Sequence, residues 1–356
     1  MSKIGILTFQ NTLNFGAILQ CYGLYQTIRE LGNDVEVIDY ACTQIEKQEC
    51  IMSDGTLKSA IKVLINHGKA KRFSKFLHSM KLSPRCDRES FIGISKRYDF
   101  IVVGSDQVWN PECTGYDKTY FLDQIEERTK KLSYAASIGL EHFPACDFDY
   151  ASLLGGFSSL LVREETAARE IKRFVDTPVQ VVIDPTLLAE KNVWETLGRM
   201  PSSVQGKHYV LVYAISEHER SLQVARKIAE ERNLEIVNIQ QYGFNRAPGV
   251  HNLHDVSPEE FVGLFLCADA AVVSSFHGLC FSLIAGVDFF YATDGGASSS
   301  RSSRLLDLMK LLGIEGRNVE DCLGDKVISL DWHSINQRLL HERARSLQLL
   351  QTSLDK

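Results

Sequence analysis

The chain has 356 residues, 44% of them hydrophobic and 24% charged, which is enough apolar material to exclude disorder over most of its length. At about 100–200 residues per domain, that length reads as two domains. Its 39 basic residues against 45 acidic ones leave a formal net charge of −6, which argues against a nucleic-acid partner, because such partners call for a basic footprint.

Ile4 to Phe9 reads as a buried strand. The polar loop from Gln10 to Gly16 follows. Ala17, Cys21, Leu24, Ile28 and Leu31 then recur at helical spacing, with Gly32 at the helix C-terminus. Val35 to Asp39 is a second strand, so this opening is a βαβ unit, which implies a parallel sheet covered by helices. Ala41 to Arg97 is less regular. It holds a basic helical segment from Thr56 to Ser79, with Lys58, Lys62, Lys69, Lys71, Arg72 and Lys75. That segment could meet an anionic lipid surface or a phosphorylated acceptor, although a solvated helix face is the preferred reading. Further strands run from Tyr98 to Val103, Lys131 to Ser137, Ser158 to Val162 and Val179 to Ile183. A helix follows Arg163-Glu164-Glu165 as far as Phe174, and Asp184-Pro185-Thr186 closes this half.

A second α/β series begins near Lys207. It reads as a strand from His208 to Ile215, a helix from Glu217 to Arg232 and a strand from Leu234 to Ile239. Ser257-Pro258-Glu259-Glu260 starts a helix, with Ser at the N-cap, Pro at N1 and Glu at N3. Asp269 to Ser274 is a strand, followed by a helix to Ala285, a strand from Val287 to Ala292 and a helix from Ser302 to Leu312. Asp331 to Leu354 is one amphipathic helix, with Ile335, Leu339, Leu347, Leu350 and Leu354 apolar. The expected fold is α/β: two Rossmann-like, doubly wound domains facing a cleft, residues 1–186 and 187–330, with residues 331–356 as a C-terminal helix.

Nine cysteines carry no C-x-x-C pair, so a zinc knuckle or thioredoxin-type redox site is not expected. An odd, scattered set reads as reduced thiols in the cytoplasm. The apolar run after Lys3 is only strand-length, shorter than a signal core. The stretch from Gly278 to Ala292 is interrupted by Asp288 and is too short to span a bilayer.

Ligands of open α/β sheets bind beyond the carboxyl ends of the strands, and several polar segments fall there. Asn14-Phe15-Gly16-Ala17 opens the first helix, whose N-terminus suits an anion. A G-x-G-x-x-G fingerprint is absent, so a dinucleotide loses its main support even with Asp39 at the end of the second strand; a plain tight turn fits equally well. Gly104-Ser105-Asp106-Gln107-Val108-Trp109-Asn110 mixes hydrogen-bonding groups with a flat aromatic, as carbohydrate sites do. Alternatively, Asp106 caps a helix and Trp109 packs in the core. Arg163 follows a buried strand and matches carboxylate or phosphate geometry, or else pairs with its own helix at the surface; Glu164 and Glu165 read as first-turn acids. Ser274-Ser275-Phe276-His277-Gly278 sets a histidine at a strand-to-helix junction. The helix N-terminus disfavours the imidazolium, so His277 is expected to be neutral near pH 7 and fit for general acid–base work. Arg301 and Arg304 follow the Gly/Ser loop of 295–300 and form either an anion clamp or a solvated pair.

Taken in order, these segments resemble the polysaccharide pyruvyl transferase family. The opening T-x-x-N-x-x-N-x-G-A pattern, the run Tyr98 to Asn110, Ser133 to Gly139, Arg163-Glu164-Glu165-Thr166, Asp184-Pro185-Thr186 and Ser275-Phe276-His277-Gly278 carry the resemblance over about residues 3 to 313. The resemblance implies a fold like GT-B glycosyltransferases with a C-terminal helix that crosses back. It also implies transfer of a pyruvyl group from phosphoenolpyruvate to a sugar of a surface or capsular polysaccharide or its precursor, closing a ketal. His277 matches the family's catalytic histidine and Arg163 an arginine near the donor. Arg301, Arg304, Ser274, Ser275 and Gly278 are the expected donor contacts. Asn14, Gly16, Ser105, Asp106 and Trp109 form the expected acceptor-side loops. Many members read Arg-Leu-His where this chain reads Ser275-Phe276-His277; Arg301 or Arg304 could replace that charge, or the donor could differ. Phosphoenolpyruvate is expected as a substrate, with no cofactor and no metal. The expected setting is cytoplasmic, with contact at the inner face of the membrane where an acceptor is lipid-linked. The alternatives are a GT-B glycosyltransferase using a nucleotide sugar, or a non-catalytic member that binds glycan or assists assembly.

Overall fold

The computed structural model describes residues 1–49, 51–126, 128–240, 246–293, 300–324 and 326–355, with only the backbone described for 300–303. The chain divides into two compact units. The first comprises Met1–Val63, Ser74–Ala189 and His341–Lys356, and the second Leu64–Phe73 and Glu190–Leu340.

The first unit is built on a six-stranded parallel sheet. Its strands are β1 (Lys3–Leu7), β2 (Asp34–Val37), β3 (Phe100–Val103), β4 (Lys130–Ala136), β5 (Phe157–Val162) and β6 (Val179–Val181), in the order β2-β1-β3-β4-β5-β6. Strands covered on both faces read as continuous apolar runs, and β3, Phe-Ile-Val-Val, is wholly buried. The order reverses between β1 and β3, which places a topological switch point at their carboxyl ends. Residues Phe15–Glu30 form the first crossover helix, and Asn14 is its N-cap.

The second unit has five parallel strands, β7 (Tyr209–Tyr213), β8 (Glu235–Ile239), β9 (His251–Leu253), β10 (Ala270–Val273) and β11 (Asp288–Tyr291), in the order β11-β10-β7-β8-β9. Its switch point lies between β7 and β10. The helix Pro258–Leu266 starts with the expected capping box, Ser257 against Glu260. The short strand β9 and the helices Thr43–Gln48, Arg88–Ser95 and Lys191–Leu197 have no counterpart in the sequence reading. Segments of three to eight residues are too short for periodicity to separate from loop.

The basic segment is two helices, Leu57–Ile65 and His67–Leu77, rather than one. Nor is it all solvated: Lys69 is buried, with its ammonium 5.3 Å from the Phe73 ring centroid. The last helix, Trp332–Leu354, belongs to the second unit up to Leu340 and to the first from His341. Its second part fastens to the β6 region: Arg345 donates to the Val181 carbonyl, Ile183 N–H donates to Ser346 Oγ, and Ser353 Oγ lies 2.8 Å from Ser159 Oγ. Among the described residues no helix is long and apolar enough to cross a membrane, and the cysteines are thiols without a disulfide; Cys50 lies outside them.

Glu36 in β2 is buried, and Tyr98 Oη, Arg97, Lys81 and Lys3 converge on its carboxylate at 2.8–3.7 Å. Burial alone would raise its pKa, but the hydrogen bond from Tyr98 and the charges of Arg97, Lys3 and Lys81 outweigh that and hold it below the ordinary value of 4.5. A depressed carboxylate stabilises the fold above its unfolded-state pKa and loses that effect as pH falls through the folded one. Glu36→Gln should therefore cost about 1–3 kcal/mol at pH 7. The gap to the parent should close as the pH drops through the carboxylate range, which urea denaturation at a series of pH values will read out.

Candidate functional site

Each switch point gathers the residues that the sequence singles out, and each does so within its own unit. At the first, Asn14 sits at the end of the β1 loop. Its side chain accepts from Gly16 N–H at 2.9 Å and Ala17 N–H at 3.3 Å, so it caps the helix. Thr8 Oγ1 donates to the Ser105 carbonyl at 3.0 Å and joins the ends of β1 and β3. Gln20, from the helix, accepts from Ser105 N–H and donates to Thr8 Oγ1. Gly104 has φ +112°, and a Cβ there would lie 2.3 Å from the Tyr134 carbonyl, so only glycine fits this crossing.

Ser105 is fully buried. Its hydroxyl lies 3.0 Å from the Ala135 carbonyl and 3.2 Å from Asp184 Oδ2. Trp109, read in the sequence as a flat sugar platform or a core residue, is core: it is 0% exposed, stacks on Phe121 and donates its indole N–H to the Tyr120 carbonyl. Asp106 does not cap a helix. It has φ 72°, and its carboxylate accepts from its neighbour Gln107 N–H. Half-buried Asn14 and Asp106 remain accessible at this end of the sheet. Asp39, the candidate ribose partner, instead faces Arg85 at 3.4 Å.

Arg163 is neither a surface ion pair nor an exposed anion hook. Its side chain is 2% exposed and lies among three carboxylates: Asp184 at 3.2 Å, Asp106 at 3.6 Å and Glu164 at 3.6 Å. Burial by itself would lower its pKa, but Asp106, Asp184 and Glu164 more than offset this and hold the guanidinium above its ordinary value. Glu164 is likewise not a solvated first-turn acid; it is buried and accepts from Ser137 Oγ at 2.7 Å. Asp184, which the sequence marks as the end of a strand and as part of a segment carrying the family resemblance but not as a site residue, caps the next helix through Thr186 N–H and anchors both Arg163 and Ser105. Its D-P-T setting, acid at N-cap and Pro at N1, was the available signal.

At the second switch point, Ser274 Oγ accepts from Ser216 N–H at 3.0 Å and joins the ends of β7 and β10. Ser275 is the N-cap of the helix Phe276–Ala285, its hydroxyl accepting from Gly278 N–H at 3.0 Å. His277 therefore lies in the first helical turn, half-buried, edge-on to the Phe276 ring at 5.3 Å. The first-turn N–H groups of a helix point outward along its axis, which makes this end a place for an anion beside an imidazole. A Cβ on Gly278 would meet Ser275 Oγ at 2.9 Å and Val273 Cβ at 3.0 Å, so glycine lets the turn close. Arg304 is half-buried in the helix Ser300–Leu312. The Arg301 side chain and the 295–299 part of the Gly/Ser loop lie outside the described residues. Among the described residues no three His, Cys, Asp or Glu side chains are grouped as metal ligands.

The family described as polysaccharide pyruvyl transferase matches residues 14–293, a span that contains Asn14, Ser105, Asp106, Arg163 and His277. No curated protein matches the sequence. Among solved structures, UDP-GlcNAc 2-epimerase from Neisseria meningitidis, bound to UDP-GlcNAc, is 10% identical with a TM-score of 0.51, over 99% of each chain. A further UDP-N-acetylglucosamine 2-epimerase is 11% identical with a TM-score of 0.51, over 98% of this chain and 95% of its own. The glycosyltransferase SnogD from Streptomyces nogalater is 14% identical with a TM-score of 0.44, over 100% of this chain and 98% of its own. At these identities the epimerases show a shared two-domain Rossmann-like fold.

Removing the Arg163 charge would leave three carboxylates facing one another. Arg163→Met should lose about 3–5 kcal/mol of stability in urea denaturation. A variant as stable as the parent would remove the guanidinium from the centre of this cluster.

Proposed function

The chain belongs to the polysaccharide pyruvyl transferase family, and we propose that it moves the pyruvyl group of phosphoenolpyruvate onto two hydroxyls of a sugar in a surface or capsular polysaccharide or its precursor. The observation that carries this reading is His277 in the first turn of a helix at the second unit's switch point, inside the span that the family matches. In the reaction, both sugar oxygens bond to C2 of the donor and the C2–O bond to phosphate breaks. One hydroxyl proton ends on the methylene carbon, which becomes a methyl group, and the other leaves with the phosphate. His277 takes a proton from an attacking hydroxyl and delivers it in a later step; a placed acid–base group of this kind is worth roughly 10²–10⁴-fold in rate. The donor carries its own leaving group, so phosphoenolpyruvate enters as a substrate and no cofactor is needed.

The donor's carboxylate and phosphate call for cations and helix N–H groups. The first-turn N–H groups of Phe276 and His277 suit these anions, with Ser274 and the Ser275–Gly278 cap beside them, and Arg304 is the cation offered in place of the family's arginine at Ser275. In the first unit Asn14 and Asp106 are the acceptor-side groups, with Gly16 N–H donating to the Asn14 side chain. Arg163 acts as a positioning residue, holding Asp106 by its charge. A glycosyltransferase using a nucleotide sugar is the rival on the same fold. A ligand at a hundredfold excess over Kd stabilises by about 2.7 kcal/mol. Thermal shifts with phosphoenolpyruvate but not with UDP-GlcNAc are expected, and the reverse pattern would favour the rival.

Contact with the inner face of the membrane belongs to the same proposal. Residues 56–77 hold six basic and no acidic residues in a chain of net charge −6. On the helix Leu57–Ile65, Leu57 and Leu64 are 78% and 77% exposed and Ile61 is exposed too, with Lys58 beside them. Exposed apolar residues next to lysines suit an anionic bilayer surface, where each lysine adds about 1 kcal/mol.

His277→Ala should lower phosphate release from phosphoenolpyruvate and acceptor glycan by about 10²–10⁴-fold while thermal unfolding stays unchanged. Turnover at the parent rate would sink the mechanism. The double variant Lys58→Glu/Lys62→Glu should lose sedimentation with phosphatidylglycerol vesicles at low salt. Neither protein should bind phosphatidylcholine vesicles, and equal binding by parent and variant would remove this helix from the membrane.

A further inference from the structure

The second unit holds a cavity of about 580 Å³ at the carboxyl ends of β8 and β9, lined by residues that the transfer chemistry does not use. Its volume falls within the range of about 300–1,000 Å³ that small-molecule sites occupy. His277 is not among the lining residues.

Two polar atoms in its wall are buried without a hydrogen-bond partner. Gln240 directly follows β8 and is 6% exposed, and its Nε2 donates to nothing. His254 directly follows β9, and its Nε2 is likewise without a partner. The two are held side by side, because Gln240 N–H donates to the Leu253 carbonyl at 2.8 Å. The roles of the two atoms differ. His254 Nδ1 lies 2.7 Å from Asp255 Oδ1, a carboxylate that can only accept, so in the tautomer with the proton on Nδ1 the unmet Nε2 is an acceptor. Gln240 Nε2 is a donor. Native folds leave few buried polar groups unmet, and an unmet donor on Gln240 and an unmet ring nitrogen on His254, two neighbouring residues of one cavity wall, point to a ligand group that both donates and accepts.

The rest of the wall is fixed and selective. Asn252 is committed to the wall itself: it donates to the carbonyls of Ala247 at 2.7 Å and Val250 at 3.1 Å and accepts from Ala247 N–H and from Asn238. Ile65 and Val250 add apolar surface, Arg246 adds an exposed cation, and among the described residues no acidic side chain lines the cavity.

We propose that this cavity binds an anionic sugar, one hydroxyl bridging Gln240 Nε2 and His254 Nε2 and a carboxylate or phosphate meeting Arg246. A hydroxyl donates and accepts at once, and a guanidinium takes either anion. The choice of sugar as the class rests on the polysaccharide reading above; the cavity and its unmet groups do not.

The test is calorimetric titration of the full chain with glucuronate, glucose 1-phosphate, glucose and inorganic phosphate. Saturable binding of glucuronate or glucose 1-phosphate is expected, at least tenfold tighter than glucose or phosphate, and whichever binds identifies the anion. Gln240→Leu and His254→Phe should each weaken it tenfold or more, and Arg246→Ala should reduce it to the level of glucose. Thermal unfolding confirms that each variant is folded, and His254→Gln, which keeps a polar group, should retain part of the affinity. His277→Ala should bind the sugar as the parent does, and Gln240→Leu should keep its phosphoenolpyruvate binding, so that a failure here and a failure of the transfer reading are told apart. The proposal is overturned if no sugar binds, if phosphate alone binds as tightly as the anionic sugar, if the cavity variants bind like the parent, or if Gln240→Leu loses phosphoenolpyruvate as well.

Discussion

The first unit depends on one buried guanidinium. Arg163 follows β5, Asp106 follows β3 and Asp184 follows β6, so a single side chain ties together the carboxyl ends of three strands. A buried charge of this kind is tolerable only when it is paired and hydrogen-bonded. The surrounding polar groups, Ser105, Ser137, Thr186 and Glu164, are spent on completing that pairing. What stays accessible is what the cluster does not consume, chiefly Asp106 and the Asn14 turn. The network is thus the floor on which the accessible loops rest.

The two units repeat one physical solution. A parallel sheet whose strand order reverses cannot cover the gap between the two diverging crossovers, and polar side chains bridge it: Thr8 to Ser105 in the first unit, Ser274 to Ser216 in the second. A helix starts immediately beyond each bridge, capped by Asn14 in one and Ser275 in the other. The units differ in what the first turn carries. Behind Asn14 stand Phe15 and Gly16, which suit close packing. Behind Ser275 stand Phe276 and His277, which bring an imidazole to the helix end.

Much of the fold was legible because its signals are local. Continuous apolar runs such as Phe100–Val103 and Ala270–Val273 read as buried parallel strands, and Ser257 with Glu260 announced its helix. Within the candidate site, the positions of Asn14, Ser275 and His277 at strand-to-helix turns were legible for the same reason. The environments of Arg163, Trp109 and Ser105 were not. An arginine after a strand looks alike whether it meets water or three carboxylates, and a tryptophan in a polar run looks alike whether it faces a sugar or stacks on Phe121. The short strand β9 escaped notice because three residues, His-Asn-Leu, carry no period.

The sequence by itself determined the α/β succession, the Ser257–Glu260 capping box and the family, since each rests on residues adjacent in the chain or on motifs in fixed order. Tertiary structure alone decided which side chains meet. Asp184 reaches Ser105 across 79 positions, and Gln240 comes beside His254 only because β8 pairs with β9. Strand order sets those encounters, and it follows from how whole sheets bury their faces, a property no local stretch of residues contains.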